Sequence, residues 1–141
     1  MMTRMAPVTR ESEIVKQVHL RLGSRADVRL WRFQAGVGRV GARDTVQRFC
    51  PTGFPDLAGW VTICGVAVWL GVECKTESGR LSEAQSAWKK WADEAGAIYI
   101  VARDAARAEM ELEAQIEMRS MGAVRVAGQR GQEGAEGMTD D

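Results

Sequence analysis

Asp56 stands seventeen residues ahead of Glu73, in the runs Pro55-Asp56 and Glu73-Cys74-Lys75. Two acids and an amine at that separation make one cation pocket if a hairpin folds them together. Cys64-Gly65, midway between them, reads as the tight turn of such a hairpin, with strands over 55–63 and 66–75. With Ile63 facing Val66 across the turn, Asp56 falls directly opposite Glu73. Cross-strand Cβ atoms lie about 5 Å apart, and carboxylates within about 4 Å repel by about 4 kcal/mol at an effective dielectric near 20. A divalent cation, a neighbouring ammonium or an extra proton relieves that repulsion. Side chains alternate along a strand, so Glu73 and Lys75 share a face and Cys74 points the other way. Lys75 therefore supplies an ammonium, and a ligand set made of oxygens favours Mg²⁺, with Mn²⁺ as its substitute, over zinc.

The same register has a consequence on the opposite face. It pairs Leu57 with Val72, Val61 with Val68 and Ile63 with Val66, an apolar surface that belongs in a core. On the Asp56 face it pairs Trp60 with Trp69, which either pack under a helix or make a dimer or DNA contact. The uncharged stretch Leu57–Val72 has 16 residues. A membrane-spanning helix needs roughly 20, and the β-branched residues and central Cys-Gly favour two strands instead.

The flanking elements follow from periodicity. Ile14, Val15, Val18 and Leu22 form the apolar stripe of a helix over 10–22, with Glu13 and Gln17 on another face and Gly23 as its stop. Residues 28–34 alternate as a strand, 35–43 read as a flexible Gly-rich loop, and 44–49 as a short strand. Ser82 and Gln85 have capping-box spacing, opening a helix to Ala95 that Gly96 ends. A buried strand over 97–102 and a helix over 104–120 follow. Between Arg25 and Phe49 lie six arginines and two aspartates, so this segment carries +4. It is either a solvated hairpin or a phosphate-binding surface in which Arg39 and Arg43 take part.

The runs GFPDLAGW, GVECKTESGRLSEAQSAWKKW and GAIYIVAR together resemble the VRR-NUC branch of the PD-(D/E)XK nucleases, over residues 10–106. The resemblance implies a restriction-endonuclease-like α/β core, a mixed β-sheet flanked by helices. It implies that Asp56 and Glu73 ligate the metal with the main-chain carbonyl of Cys74, and that Glu13 adds a ligand directly or through water. Lys75 would orient or activate the attacking water, and Gln85 would position the lysine or the substrate. The middle residue of the Glu-x-Lys motif is commonly aliphatic in this family, and Cys74 replaces it here with a small apolar thiol. The implied activity is that of a Mg²⁺-dependent endodeoxyribonuclease leaving 5′-phosphate and 3′-hydroxyl ends. Stand-alone bacterial or phage members resemble homodimers that resolve four-way (Holliday) junctions. A nicking or flap-type nuclease, or a non-catalytic nucleic-acid-binding module on the same fold, remains the alternative. Arg80, Lys89 and Lys90 flank the site and either contact the DNA backbone or form a solvated helix face.

Composition bounds these readings. Nineteen basic and nineteen acidic residues cancel, which excludes a bulk-charge nucleic-acid coat and a polybasic membrane binder but not a local basic site. Three cysteines without a CxxC pair, and one histidine, exclude a Cys/His zinc site and suit reduced thiols in a cytoplasmic protein. The chain is expected to divide into a flexible N-terminus over 1–9, one nuclease-like domain over 10–121, and a Gly-rich, poorly ordered tail over 122–141.

Overall fold

The computed structural model describes residues 10–34, 36–43 and 45–136, and among these the side chains outside 36–40, 48–49 and 124–136. The expected flexible N-terminus, 1–9, lies outside the described residues. The chain folds as a mixed α/β structure in the order α1 (Glu11–Gly23), β1 (Val28–Arg32), β2 (Gly36–Val40), β3 (Thr45–Cys50), β4 (Leu57–Ile63), β5 (Val66–Cys74), α2 (Glu83–Glu94), β6 (Ile98–Ala102) and α3 (Ala105–Glu136).

A four-stranded sheet runs β1-β4-β5-β6, and β2-β3 form a separate two-stranded ribbon. The first two contacts of the larger sheet are antiparallel and the third, β5 to β6, is parallel. The parallel pair requires a crossover, and α2 supplies it. β4 and β5 pair Ile63 with Val66 and Leu57 with Val72, the register read from the sequence. Cys64 and Gly65 both take positive φ, 49° and 77°, the signature of a two-residue type I′ turn whose twist suits the flanking strands.

One face of the sheet is closed by α1 and α3. Val18 and Leu22 of α1, Val28, Leu57, Val61, Leu70, Val72 and Ile100 of the strands, and Leu112 of α3 are fully buried together. Burying each such side chain contributes about 1.5–3 kcal/mol. His19 ties the helix to the sheet through Nε2 and the Leu30 carbonyl, 3.0 Å apart. α2 lies over the other face, where Trp88 meets Phe54 and Phe54 meets Trp69. Gly71 makes room there: a Cβ on it would stand 2.4 Å from the Trp69 ring.

Two expectations about local structure are corrected. Residues 36–40 are not part of a flexible loop but a strand, paired with β3 through a register shift at Gly36/Val37. Its glycines have low strand propensity, and the partner strand, rich in β-branched and aromatic residues, supplies the hydrogen bonds that hold it. The last helix does not stop near 120 but continues to Glu136, so most of the stretch expected to be a poorly ordered tail is helical. No proline interrupts 105–136, and its Ala, Glu, Gln and Arg residues favour a helix against the cost of its few glycines. Residues 137–141 lie outside the described ones. No helix is long and apolar enough to cross a membrane among the described residues.

Candidate metal centre

The site is built where the start of β4 meets the end of β5. Asp56 precedes β4 by one residue and is fixed from two sides. Its Oδ2 accepts a hydrogen bond from the Cys74 backbone N–H at 2.9 Å, and its carbonyl accepts one from the Phe33 N–H at 2.8 Å. Glu73 faces the α2 side of β5 and is only 2 % exposed. Its Oε1 accepts from Gln85 Nε2 at 2.8 Å and lies 3.7 Å from Lys75 Nζ. Its Oε2 is buried and has no hydrogen-bond donor. Burial first, then the Asp56 carboxylate and less strongly Glu11, push Glu73 up to about 8, against the pull of Lys75.

Three carboxylates converge at this point. Oxygens of Glu11, Asp56 and Glu73 lie within 4.8 Å of one another. The α1 residue in this cluster is Glu11; Glu13, expected to add a ligand directly or through water, is exposed and lies outside the cluster. Helix geometry explains this placement. Glu11, Ile14, Val15, Val18 and Leu22 recur at helical spacing on one stripe, whereas Glu13 sits two residues round from Glu11. The apolar stripe, extended one turn toward the N-terminus, points to Glu11.

Asp56, Glu73, Lys75 and Gln85 come together as the sequence suggested. Gln85 completes the capping box of α2 with Ser82, its Oε1 accepting from the Ser82 N–H at 2.8 Å. Its remaining amide group goes to Glu73, not to Lys75, so it acts on the acid. The Cys74 side chain lies in the core, and burial pushes its thiol well above the usual range, so any part of Cys74 in the centre falls to its main chain. The loop after Lys75 is held by Arg103, a residue the motif does not include. Its Nη1 donates to the Thr76, Glu77 and Gly79 carbonyls. The Lys75 N–H donates to the Ala102 carbonyl at 2.9 Å, which fixes the backbone from which the ammonium projects.

Tyr99 also escaped the sequence reading. Opposite Gly71 on the α2 face, its hydroxyl is buried without a partner, and burial, then Glu73 and Asp56, raise it above the usual phenol range. Of the expected nucleic-acid contacts, Arg43 and Arg80 are exposed, and Lys89 donates to Asp93 at 2.9 Å along its own helix. The Arg39 side chain lies outside the described residues.

The donor set fits a hard divalent cation. It offers carboxylate oxygens alone, one of them buried and unpartnered, and one ammonium for three acids. Comparison with protein-family models, with curated proteins and with solved structures finds no match.

Proposed function

We propose that this chain is a metal-dependent DNA endonuclease of the PD-(D/E)XK type, in its VRR-NUC branch. The observation that carries the reading is the convergence of Glu73 with Asp56 and Glu11, with Lys75 Nζ 3.7 Å from Glu73 Oε1 and Glu73 Oε2 buried without a hydrogen-bond partner. Asp56, Glu73 and Glu11 would hold Mg²⁺, or Mn²⁺ in its place. When bound, the ion supplies Lewis-acid polarisation of a phosphoryl oxygen and a more acidic water.

The chain's own residues do the rest. Gln85 locks Glu73 in one orientation, and the Cys74 amide locks Asp56, so the acids are set before substrate arrives. Lys75 places fixed positive charge beside them, where negative charge grows on the phosphate under attack. Arg80 and Arg43 are exposed cations suited to the DNA backbone. A homodimer would present paired sites to a roughly two-fold substrate, which favours four-way junctions over single nicks or flaps.

The test is cleavage of labelled four-way, flap, splayed and duplex DNA with Mg²⁺, beside a measurement of solution mass. Wild type is expected to cut the four-way junction, leaving 5′-phosphate and 3′-hydroxyl ends, and Asp56→Asn and Lys75→Ala to be inactive. Binding without cutting by all three would instead identify a non-catalytic binding module.

A further inference from the structure

The α2-side face of the sheet carries a second feature that the metal centre does not use. Trp31 on β1 and Trp60 on β4 stack at 5.3 Å between ring centroids, tilted by 51°. They remain 50 % and 40 % exposed, whereas Phe33, further along β1's own face and 37 % exposed, meets Phe54 edge-on at 5.2 Å. The other aromatic rings of this face behave differently. Trp69 turns to Phe54, and Phe54 meets Trp88 under α2. Trp31 and Trp60 therefore hold each other in place at the sheet margin without being covered, since β1 is an edge strand.

Charge accompanies the rings. Arg29 lies directly opposite Trp60 in the register, on the same face. Its Nη1 donates to the Val28 and Ala26 carbonyls, and no carboxylate pairs with it among the described residues. Arg25, by contrast, is neutralised by Asp27, Glu109 and Glu113. The site lies close by. Phe33 is hydrogen-bonded to Asp56, and Trp60 is four strand residues, about 13 Å, from Asp56. That is roughly four bases of a stacked strand at 3.4 Å each.

We infer that Trp31 and Trp60 form a stacking platform for unpaired bases of a nucleic-acid strand whose backbone leads on to the metal centre, with Arg29 contacting phosphate. The inference rests on the nuclease reading for its substrate and assigns that substrate a single-stranded or splayed segment. Aromatic faces interleaved with arginine are what sequence-tolerant binding of unpaired bases requires. A second copy of the chain is the poorer occupant. The exposed parts of the two indoles amount to about 200 Å², against roughly 800 Å² per partner in a stable interface.

The experiment measures binding of the full chain in EDTA to two fluorescein-labelled 12-mers of equal charge, oligo-dT and an abasic strand. Wild type is expected to bind oligo-dT about tenfold more tightly than the abasic strand, with quenching of tryptophan emission. Trp31→Ala and Trp60→Ala are each expected to lose about tenfold on oligo-dT and little on the abasic strand. Trp31→Phe and Trp60→Phe, which keep a ring, should restore most of that preference. Equal affinity of wild type for both strands, or a preference untouched by either alanine, overturns the platform. So does a double alanine variant that changes solution mass but not the preference, which would assign the face to a second copy. Because no metal is present, failure of the nuclease reading appears separately, as base-dependent binding by a protein that cuts nothing with Mg²⁺.

Discussion

Two acidic regions of this molecule are built to opposite rules. At the rim between α1 and α3, each carboxylate has an arginine. Asp27 takes two hydrogen bonds from Arg25, Glu113 takes another, and Glu109 pairs with Arg21. Asp27 is held below, and Arg25 above, its ordinary range, chiefly through their mutual hydrogen bonds. At the junction of β4 and β5, three carboxylates share one ammonium 3.7 Å from the nearest acid oxygen, and the most buried acid is pushed up instead. A fold that can neutralise its acids at one end leaves negative charge uncompensated at the other. The contrast is what a cation site demands and what mere stability would remove.

The sharpest way to break the comparison is to neutralise one acid in each region. Asp56→Asn should abolish divalent-cation binding and lower cleavage by at least on the order of 100-fold, while Asp27→Asn leaves both unchanged. Calorimetric titration with Mn²⁺ and a junction-cutting assay measure this. Equal effects of the two substitutions would erase the distinction.

Next in size is the response to metal and pH. A cation at a hundred times its Kd should stabilise the protein by about 2.7 kcal/mol, read as a rise in Tm of several degrees that Asp56→Asn lacks. Glu73 is near 4.5 when unfolded and about 8 when folded without metal. The contribution of Glu73 to the stability of the metal-free protein should therefore be fully present below 4.5 and be lost as pH rises toward 8, a loss that Glu73→Gln removes. Cation affinity should move the other way, rising up to tenfold per pH unit below about 8 as a proton is displaced. A flat dependence of affinity on pH would show that Glu73 is already ionised.

Gln85→Ala should cost about 1–2 kcal/mol in denaturant unfolding, by removing a cap and a hydrogen bond to a buried acid, and should weaken Mn²⁺ binding as well. The smallest effect is expected at the rim. Arg25→Ala should cost no more than about 1 kcal/mol, because its partners are partly solvated, with cation binding unaltered. A larger loss there than at Gln85 would invert the ranking of the two regions.

Much of the centre was legible because a hairpin leaves little freedom. A two-residue turn and an apolar face together fix the register, and the register fixes Asp56 against Glu73. The capping box of α2 was equally legible, since Ser82 and Gln85 form a local pattern. What escaped depends on longer-range choices. Glu13 fitted a motif by residue type, but the apolar stripe of α1 turns Glu11 toward the sheet. Gly36–Val40 is a strand because β3 pairs with it, which its own composition does not announce. Trp60 and Trp69 are register partners, yet their rings part, one to Trp31 and one to Phe54. Arg103 and Tyr99 gain their places only once β6 lies parallel to β5.

The side chain of Gln85 carries one last implication. Helix capping alone would accept glutamate at this position as readily as glutamine. Here one end of the group must accept from Ser82 and the other must donate to Glu73. A carboxylate has no proton to give, and an alcohol is too short to span both, so the neutral amide has the required polarity at both ends. Helix nucleation and the orientation of Glu73 are thereby wired through a single residue, and a change that satisfies the backbone of α2 still leaves the acid beneath it free to turn.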